Sequence, residues 1–241
     1  MTYDSPFFSV SFGNRYQQVE PQKCKSLTTT SLFNEQPFSL LKKRMGLSAL
    51  IFLNQVHKAH GETVFKIKDI QDSILFGKDG DYLITNQPTL GLGIVTADCL
   101  PIVYFDKINK VVGIAHAGWK GSVAGIANKV VLDLQEKFMS QKKDIKIFFG
   151  PSAKHCCYEV DSLFLERVGS NVHTSRALFK KNNKYFFDLG LYNASELLSA
   201  GFSSQQIIFN YNRCTICQKS FCSYRRQKGT NMRQVTVVSL K

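Results

Sequence analysis

The stretch LGLGIVTADCLPIVYFD, residues 90–106, decides the fold. Leu92, Ile94 and Thr96 alternate onto one face, so Leu92–Thr96 reads as a strand. Pro101–Phe105 is a second apolar run of strand length. Between the two, Thr96-Ala97-Asp98-Cys99-Leu100-Pro101 breaks the pattern with turn chemistry and ligand-capable side chains. A rigid strand aims the residue at its end, and the loop beyond leaves room for a substrate. The stretch is no membrane span: Gly91, Gly93, Asp98 and Pro101 interrupt it, and no apolar run in the chain reaches ~18 residues. Nor is Leu90-Gly91-Leu92-Gly93 a dinucleotide fingerprint, because no third glycine and no helix follow in register.

Outward from this stretch the chain alternates between strand and helix patterns. Leu50–Val56, Tyr82–Thr85, Val111–His116, Ile145–Phe149, Lys184–Phe187, Ile207–Asn210 and Val235–Leu240 read as strands. Ser39–Met45, Asp161–Val168 and Leu189–Ser199 read as helices, the last closed by Gly201. After Ala117-Gly118-Trp119-Lys120-Gly121-Ser122, the apolar positions Val123, Ile126, Ala127, Val130, Leu134 and Phe138 have helical spacing, with Ser122 as the expected N-cap. Residues 14–36 are polar and irregular and read as a surface excursion. Strands and helices mix without the regular βαβ alternation of a doubly wound sheet. The expectation is therefore an α+β fold, with mixed β-sheets packed with helices in a single domain over residues 1–241.

Composition sets further bounds. At 241 residues with 44% hydrophobic and 20% charged residues, the chain can bury a proper core. The N-terminus carries Asp4 and Pro6 where a secretory signal would place a basic and then an apolar region, so a soluble protein of the cytoplasm is expected. Seven cysteines are an odd number, which excludes a complete disulfide framework. The net charge of +13 favours anionic partners, and no acidic residue follows Glu196. No nucleic-acid-binding motif accompanies the basic excess, so no specific nucleic acid partner and no membrane partner are expected.

Three apolar runs end in ligand-capable residues: Asn54-Gln55-Val56-His57, Asp98-Cys99 and Ala115-His116-Ala117-Gly118-Trp119. Two imidazoles and a thiolate are donors that zinc prefers, and three protein ligands leave a fourth tetrahedral position open to water. Taken singly, each is more often a structural histidine or a buried thiol. The spacing is long-range, so no local ligand motif reinforces it.

The strings NQVH, TADCLPIVYFD, AHAGWKG, FGPSAKHCCYEV and FCSYRRQKGT, in this order, resemble the YfiH/YlmD family, also labelled laccase-domain, polyphenol oxidase or purine nucleoside phosphorylase. The resemblance runs from about Leu53 to the C-terminus and is weak over residues 1–50. It implies an α+β fold, a zinc site from His57, Cys99 and His116, and purine nucleoside chemistry: phosphorolysis of adenosine, inosine or methylthioadenosine, and adenosine deamination. Purine nucleoside and phosphate are then the small-molecule partners. The family's TGR near the C-terminus appears here as Thr230-Asn231-Met232-Arg233, a departure that bears on substrate contacts.

Other residues stay open between roles. Lys120 at a helix start, with Arg225 and Arg226, would form an anion clamp for substrate, or else ordinary surface charge. Asp98 is a general base, an orienting carboxylate or a turn residue. His60 is a proton carrier or an exposed loop histidine. Gln55 binds a purine edge or satisfies backbone. Cys214-x-x-Cys217 lacks an obvious second pair and reads as buried structural thiols, with Cys156-Cys157 an odd partner for a second metal. Two other chemistries use the same centre. Copper-dependent phenol oxidation fits less well, because the chain has five histidines and only two lie in the site strings. A metal-free hydrolase, with Cys99 as nucleophile and His116 as base, would cut an anionic peptidoglycan precursor.

Overall fold

The structure, a computed structural model, describes residues 1–20, 36–65, 73–228 and 230–241. Most of the polar stretch 14–36 lies outside them. In chain order the elements are β1 (Thr2–Asp4), β2 (Phe8–Phe12), β3 (Gln18–Val19), α1 (Phe38–Met45), β4 (Ala49–Asn54), β5 (Gly61–Val64), β6 (Ser73–Asp79), β7 (Tyr82–Thr85), β8 (Leu90–Thr96), β9 (Leu100–Asp106) and β10 (Val111–Ala117). Then follow α2 (Trp119–Val123), α3 (Ile126–Phe138), β11 (Ile145–Phe149), β12 (Glu159–Val160), α4 (Ser162–Val168), α5 (Val172–Ala177), β13 (Leu178–Lys181), β14 (Lys184–Phe187), α6 (Leu189–Ser199), β15 (Ile207–Ile208) and β16 (Arg233–Leu240).

One sheet runs β1-β2-β16-β8-β4-β6, with β3 also on β16, and a second runs β15-β11-β9-β10-β7-β5. Both are mixed: β4 is parallel to β6 and β8 whereas β8 is antiparallel to β16, and β10 is antiparallel to β7 and β9 whereas β5 is parallel to β7 and β15 to β11. A small third sheet holds β12, β14 and β13. This is the α+β arrangement that the strand and helix patterns predict.

The alternation of side chains along each strand explains the layering. Val10, Ile51, Leu92 and Val238 of the first sheet meet Leu83, Val103, Phe105 and Ile114 of the second, forming a core between the sheets. Their neighbours face outward. Ile84, Ile102, Tyr104 and Ile147 pack under Val130 and Leu134 of α3 and Leu197 of α6. Leu50, Phe52, Val235 and Val237 take Phe38, Leu41 and Met45 of α1 on the opposite outer face. The result is helix, sheet, sheet, helices. The two glycines of LGLG belong to this packing: a Cβ at Gly93 would lie 2.4 Å from the Phe52 ring, and one at Gly91 2.8 Å from Leu50. No helix among the described residues is long and apolar enough to cross a membrane.

One helix expectation is corrected. Ser122 does not cap the amphipathic helix; it is buried inside α2, and its hydroxyl accepts a bond from Asn193 Nδ2 at 2.9 Å. Gly125, at φ +77°, separates α2 from α3. The break spans only Ala124-Gly125, so the apolar spacing continues across it. Val123 is half-exposed rather than part of the apolar face.

Inside α6, Glu196 is buried, and its Oε2 has no hydrogen-bond partner. Burial pushes its carboxyl up to about 7. A carboxyl that holds its proton more tightly in the fold than in the unfolded chain favours folding below the unfolded pKa, and that contribution is lost as pH rises through the folded value. Above pH 7 the folded chain carries an ionisation cost of about 3 kcal/mol. Glu196→Gln is expected to match the parent's melting temperature near pH 4 and to exceed it by several degrees at pH 8, as read by thermal denaturation. An equal offset at both pH values would show that the carboxyl's charge is not the cause.

Candidate metal centre

Three different local structures deliver the three donors. Beyond β4 the chain leaves the sheet at Asn54, and His57 sits in the left-handed region at φ +60°. Cys99 follows Asp98, itself at φ +86°, in the turn from β8 to β9. His116 lies within β10, paired opposite Pro101, and Ala117 pairs opposite Leu100, so the β9–β10 ladder brings His116 alongside Cys99. The donor atoms of His57, Cys99 and His116 all lie within 4.8 Å of one another. The two imidazoles meet edge to face, 4.7 Å between centroids at 82°. Left-handed backbone at a non-glycine residue is costly, and two such residues here hold or adjoin a donor.

Asp81, which precedes β7, organises the group. Its Oδ1 accepts from His116 Nδ1 at 2.8 Å and from the His57 N–H at 3.0 Å. Its Oδ2 accepts from the Lys58 N–H at 2.7 Å and the Val56 N–H at 3.3 Å. The bond to Nδ1 leaves His116 Nε2 for the centre, the arrangement that carboxylates behind metal-binding histidines impose. The three consecutive N–H groups hold the strained turn at His57. Burial pushes the Asp81 carboxyl up, but the His116 bond and the Lys58 and His57 N–H groups outweigh it, and the net displacement is downward. Nothing in the sequence around Gly80-Asp81 marks this role; a Gly-Asp pair before a strand reads as an ordinary turn.

Electrostatics follow from the same contacts. Burial pushes the Cys99 thiol up, yet His116 and then His57 overcome it and hold the thiol at about 6. Burial pushes His116 down, and the Cys99 sulfur and Asp81 raise it to about 9. The contacts between the two side chains favour the thiolate on Cys99 and the imidazolium on His116. Gly118 leaves the space: a Cβ there would stand 3.0 Å from Cys99 Sγ and 3.0 Å from His57 Cδ2. Two imidazole nitrogens and one thiolate around a gap kept clear by glycine fit a borderline-soft divalent cation.

The three donors line a cavity of about 600 Å³. Its wall includes Trp119, Tyr158, Tyr224, Arg225 and Arg233. Arg225 lies over the Tyr158 ring at 4.9 Å and donates to the Glu159 carbonyl at 3.2 Å. Arg233 donates to the Thr230 and Met232 carbonyls, both at 3.0 Å.

The expected clamp of Lys120, Arg225 and Arg226 is therefore brought together only in part. Arg226 turns away: its Nη1 donates to the carbonyls of Thr215 at 2.5 Å, Ile216 at 2.9 Å and Gln218 at 3.2 Å, and its Nη2 to Phe221. It brackets a loop. Lys120 is exposed near the Trp119 ring, outside the cavity lining. Arg233, the arginine of the departed Thr230-Asn231-Met232-Arg233 motif, stands in the wall instead.

Asp98 is a tie. Its Oδ1 accepts from Thr215 Oγ1 at 2.6 Å, its Oδ2 from the Arg225 N–H at 2.8 Å, and its carbonyl from the Ala153 N–H at 2.8 Å. Gln55 extends the β4–β8 ladder with its side chain, giving and accepting bonds of 2.8 Å with Val95. His60 is an exposed loop residue outside the donor group.

Replacing Asp81 by Asn would turn an amide N–H toward backbone donors and leave at least one unsatisfied, costing about 1–3 kcal/mol. Asp81→Asn is expected to weaken zinc binding by roughly 10–100-fold, measured by competition with a chromophoric chelator. Unchanged affinity in a folded variant would remove Asp81 from the centre's design.

A family model described as "Multi-copper polyphenol oxidoreductase laccase" matches residues 34–241. A Borreliella burgdorferi protein named purine nucleoside phosphorylase is 33% identical over 204 residues, covering 81% of this chain and 86% of the relative. An Aquifex aeolicus protein of the same name is 37% identical, covering 75% of this chain and 80% of the relative. Among solved structures, Bacillus licheniformis YfiH superposes with a TM-score of 0.69 at 31% identity, over 80% of this chain and 74% of that one. Geobacillus stearothermophilus YlmD gives 0.72 at 27%, over 84% and 78%. The chain belongs to the YfiH/YlmD laccase-domain family.

Proposed function

We propose that this protein is a purine nucleoside phosphorylase with a single cation, zinc by the character of its donors, held by His57, Cys99 and His116. The observation that carries the reading is one cavity containing an open three-donor centre, aromatic faces and two guanidinium groups. The names of the relatives support it. Bound there, the cation supplies a Lewis acid.

The rest belongs to the chain's own residues. Arg225 and Arg233 lie in the acid-free stretch after Glu196, so no carboxylate of that stretch competes with a phosphate for them. Each uses Nη1 to grip backbone carbonyls, which fixes its planar fork for an incoming anion. Trp119 and Tyr224 line the cavity as aromatic surface for a flat purine, while the Tyr158 ring backs Arg225. In phosphorolysis an oxygen of hydrogenphosphate bonds to C1′ as the glycosidic C–N bond breaks. The bonding pair passes to the purine, which takes up the proton that the phosphate carried. Adenosine, inosine and methylthioadenosine share the bond that breaks; deamination of adenosine at the same centre is a companion activity.

Multicopper oxidation suits the donors poorly, because only two histidines face the centre. A second reading has one specific observation in its favour. Asp81 behind His116 beside Cys99 is the order of a nucleophile, a base and an orienting carboxylate. In that reading Cys99 attacks an acyl group without a metal.

Purified protein, loaded with zinc and given inosine or adenosine, is expected to release free base only when phosphate is present. Cys99→Ala should lower that rate by at least about 100-fold, and Arg233→Ala should raise KM for phosphate by roughly 10-fold with a smaller change in kcat. A zinc-loaded wild type that turns over neither nucleoside would sink the proposal. Hydrolysis of an acyl substrate that survives chelation but is abolished by thiol alkylation would transfer the site to the cysteine hydrolase reading.

A further inference from the structure

We propose that Cys156, Cys157, Cys214 and Cys217 form a second site, structural in kind, for one tetrahedrally held zinc ion. None of these residues belongs to the His57–Cys99–His116 centre, and the inference does not rest on the phosphorylase reading.

The four Sγ atoms all lie within 4.8 Å of one another. A tetrahedral zinc with bonds of about 2.3 Å sets its sulfurs roughly 3.8 Å apart, so a small contraction of side chains completes the shell. The backbone has already done the long-range work. Residues 152 and 214 form a parallel bridge, with the Ser152 N–H on the Arg213 carbonyl at 3.0 Å and the Thr215 N–H on the Ser152 carbonyl at 3.1 Å. Two loops far apart in sequence are thus laid side by side, each carrying two thiols.

The local shape of Cys214-Thr215-Ile216-Cys217 points the same way. The Gln218 N–H donates to the Cys214 carbonyl at 3.2 Å, closing a turn that sets the Cys214 and Cys217 sulfurs within 4.8 Å of each other. His155, next in the chain, is committed elsewhere: it bonds Asp188 at 2.8 Å and stacks on Phe179 at 4.2 Å. Four thiolates with no open position make a closed site, the structural rather than the catalytic kind.

The site would fasten one wall of the cavity. Thr215, between the two ligands of its loop, donates to Asp98 at 2.6 Å, and Asp98 precedes Cys99. Arg226 holds the Thr215 and Ile216 carbonyls from the other side, while the Arg225 N–H bonds the same Asp98. A metal at these thiols fixes the loop from which the cavity's arginine wall departs.

The test uses the full chain, purified anaerobically, with metal content by elemental analysis and intact mass under native and denaturing conditions. The variant His57→Ala/Cys99→Ala removes the first centre and is expected to retain one zinc per chain. Its cobalt-substituted form should show the intense visible bands of tetrahedral thiolate coordination. Cys214→Ser/Cys217→Ser, with the first centre intact, should lose one equivalent. Because that variant risks misfolding, Cys217→His is the second probe: a Cys3His set still holds zinc, so the equivalent should persist while the cobalt bands shift. Failure of the His57→Ala/Cys99→Ala chain to bind zinc with its thiols reduced would overturn the proposal. So would a zinc-free native chain whose mass is lower by the hydrogens of disulfide formation at these cysteines.

Discussion

A buried carboxylate with four hydrogen-bond donors is the constraint on which the centre depends. Asp81 is almost wholly removed from solvent, a placement that costs several kcal/mol for an isolated charge. Two requirements are met in one place. The N–H groups of Val56, His57 and Lys58 have no ladder partner beyond the end of β4, and the imidazole of His116 needs a fixed orientation. Each would be a liability alone. Together they compensate the charge that orders them. The contact is also tied to the sheet, since the Asp81 carbonyl accepts the His116 N–H at 2.7 Å immediately before β7 pairs with β10. The direction of His116 and the turn of His57 are therefore consequences of strand register, not of loop conformation.

A second carboxylate plays the corresponding part for the opposite wall. Asp98 joins the β8–β9 turn to Thr215, to Arg225 and, through its carbonyl, to Ala153. These segments come from three distant parts of the chain. The turn that carries Cys99 is thus fixed to the same segment that carries Arg225 of the cavity wall. Removing a general base from the possible roles of Asp98 is a consequence of this: both of its oxygens are committed to the framework.

Much of this was legible in the sequence, and the parts that were not have physical causes. Tyr82–Thr85, Ile145–Phe149, Lys184–Phe187 and Leu189–Ser199 have the bounds that their patterns predict, because each is a run with clean turn or cap signals. The helix after Gly118 was read as one piece because a two-residue break hardly disturbs a period of 3.6. Phe8-Ser9-Val10-Ser11-Phe12 carries a plain period of two, yet its partner β16 lies at the far end of the chain and nothing local marks the pair. Among the donors, His57, Cys99 and His116 stood out as residue types at the ends of apolar runs. Asp81 did not, since its function lies in what it accepts across space. Arg226 and Arg225 are adjacent and chemically identical, and only the fold sends one to the loop carbonyls and the other to the cavity.

The family's description speaks of several copper ions, whereas relatives of this chain bear the name of a nucleoside enzyme. Fold does not decide between such chemistries; the donor set does. Electron relay through multiple coppers calls for clusters of imidazoles. Among the described residues the centre has two, His57 and His116, while His155 and His173 are bonded to Asp188 and Ser195 in other parts of the fold. The mixed imidazole and thiolate set, with glycine clearing its open side, favours a single ion without redox duty. What remains for the cavity to specify is the substrate, and its walls of aromatic rings and guanidinium groups match a flat base at one point and an anion at another.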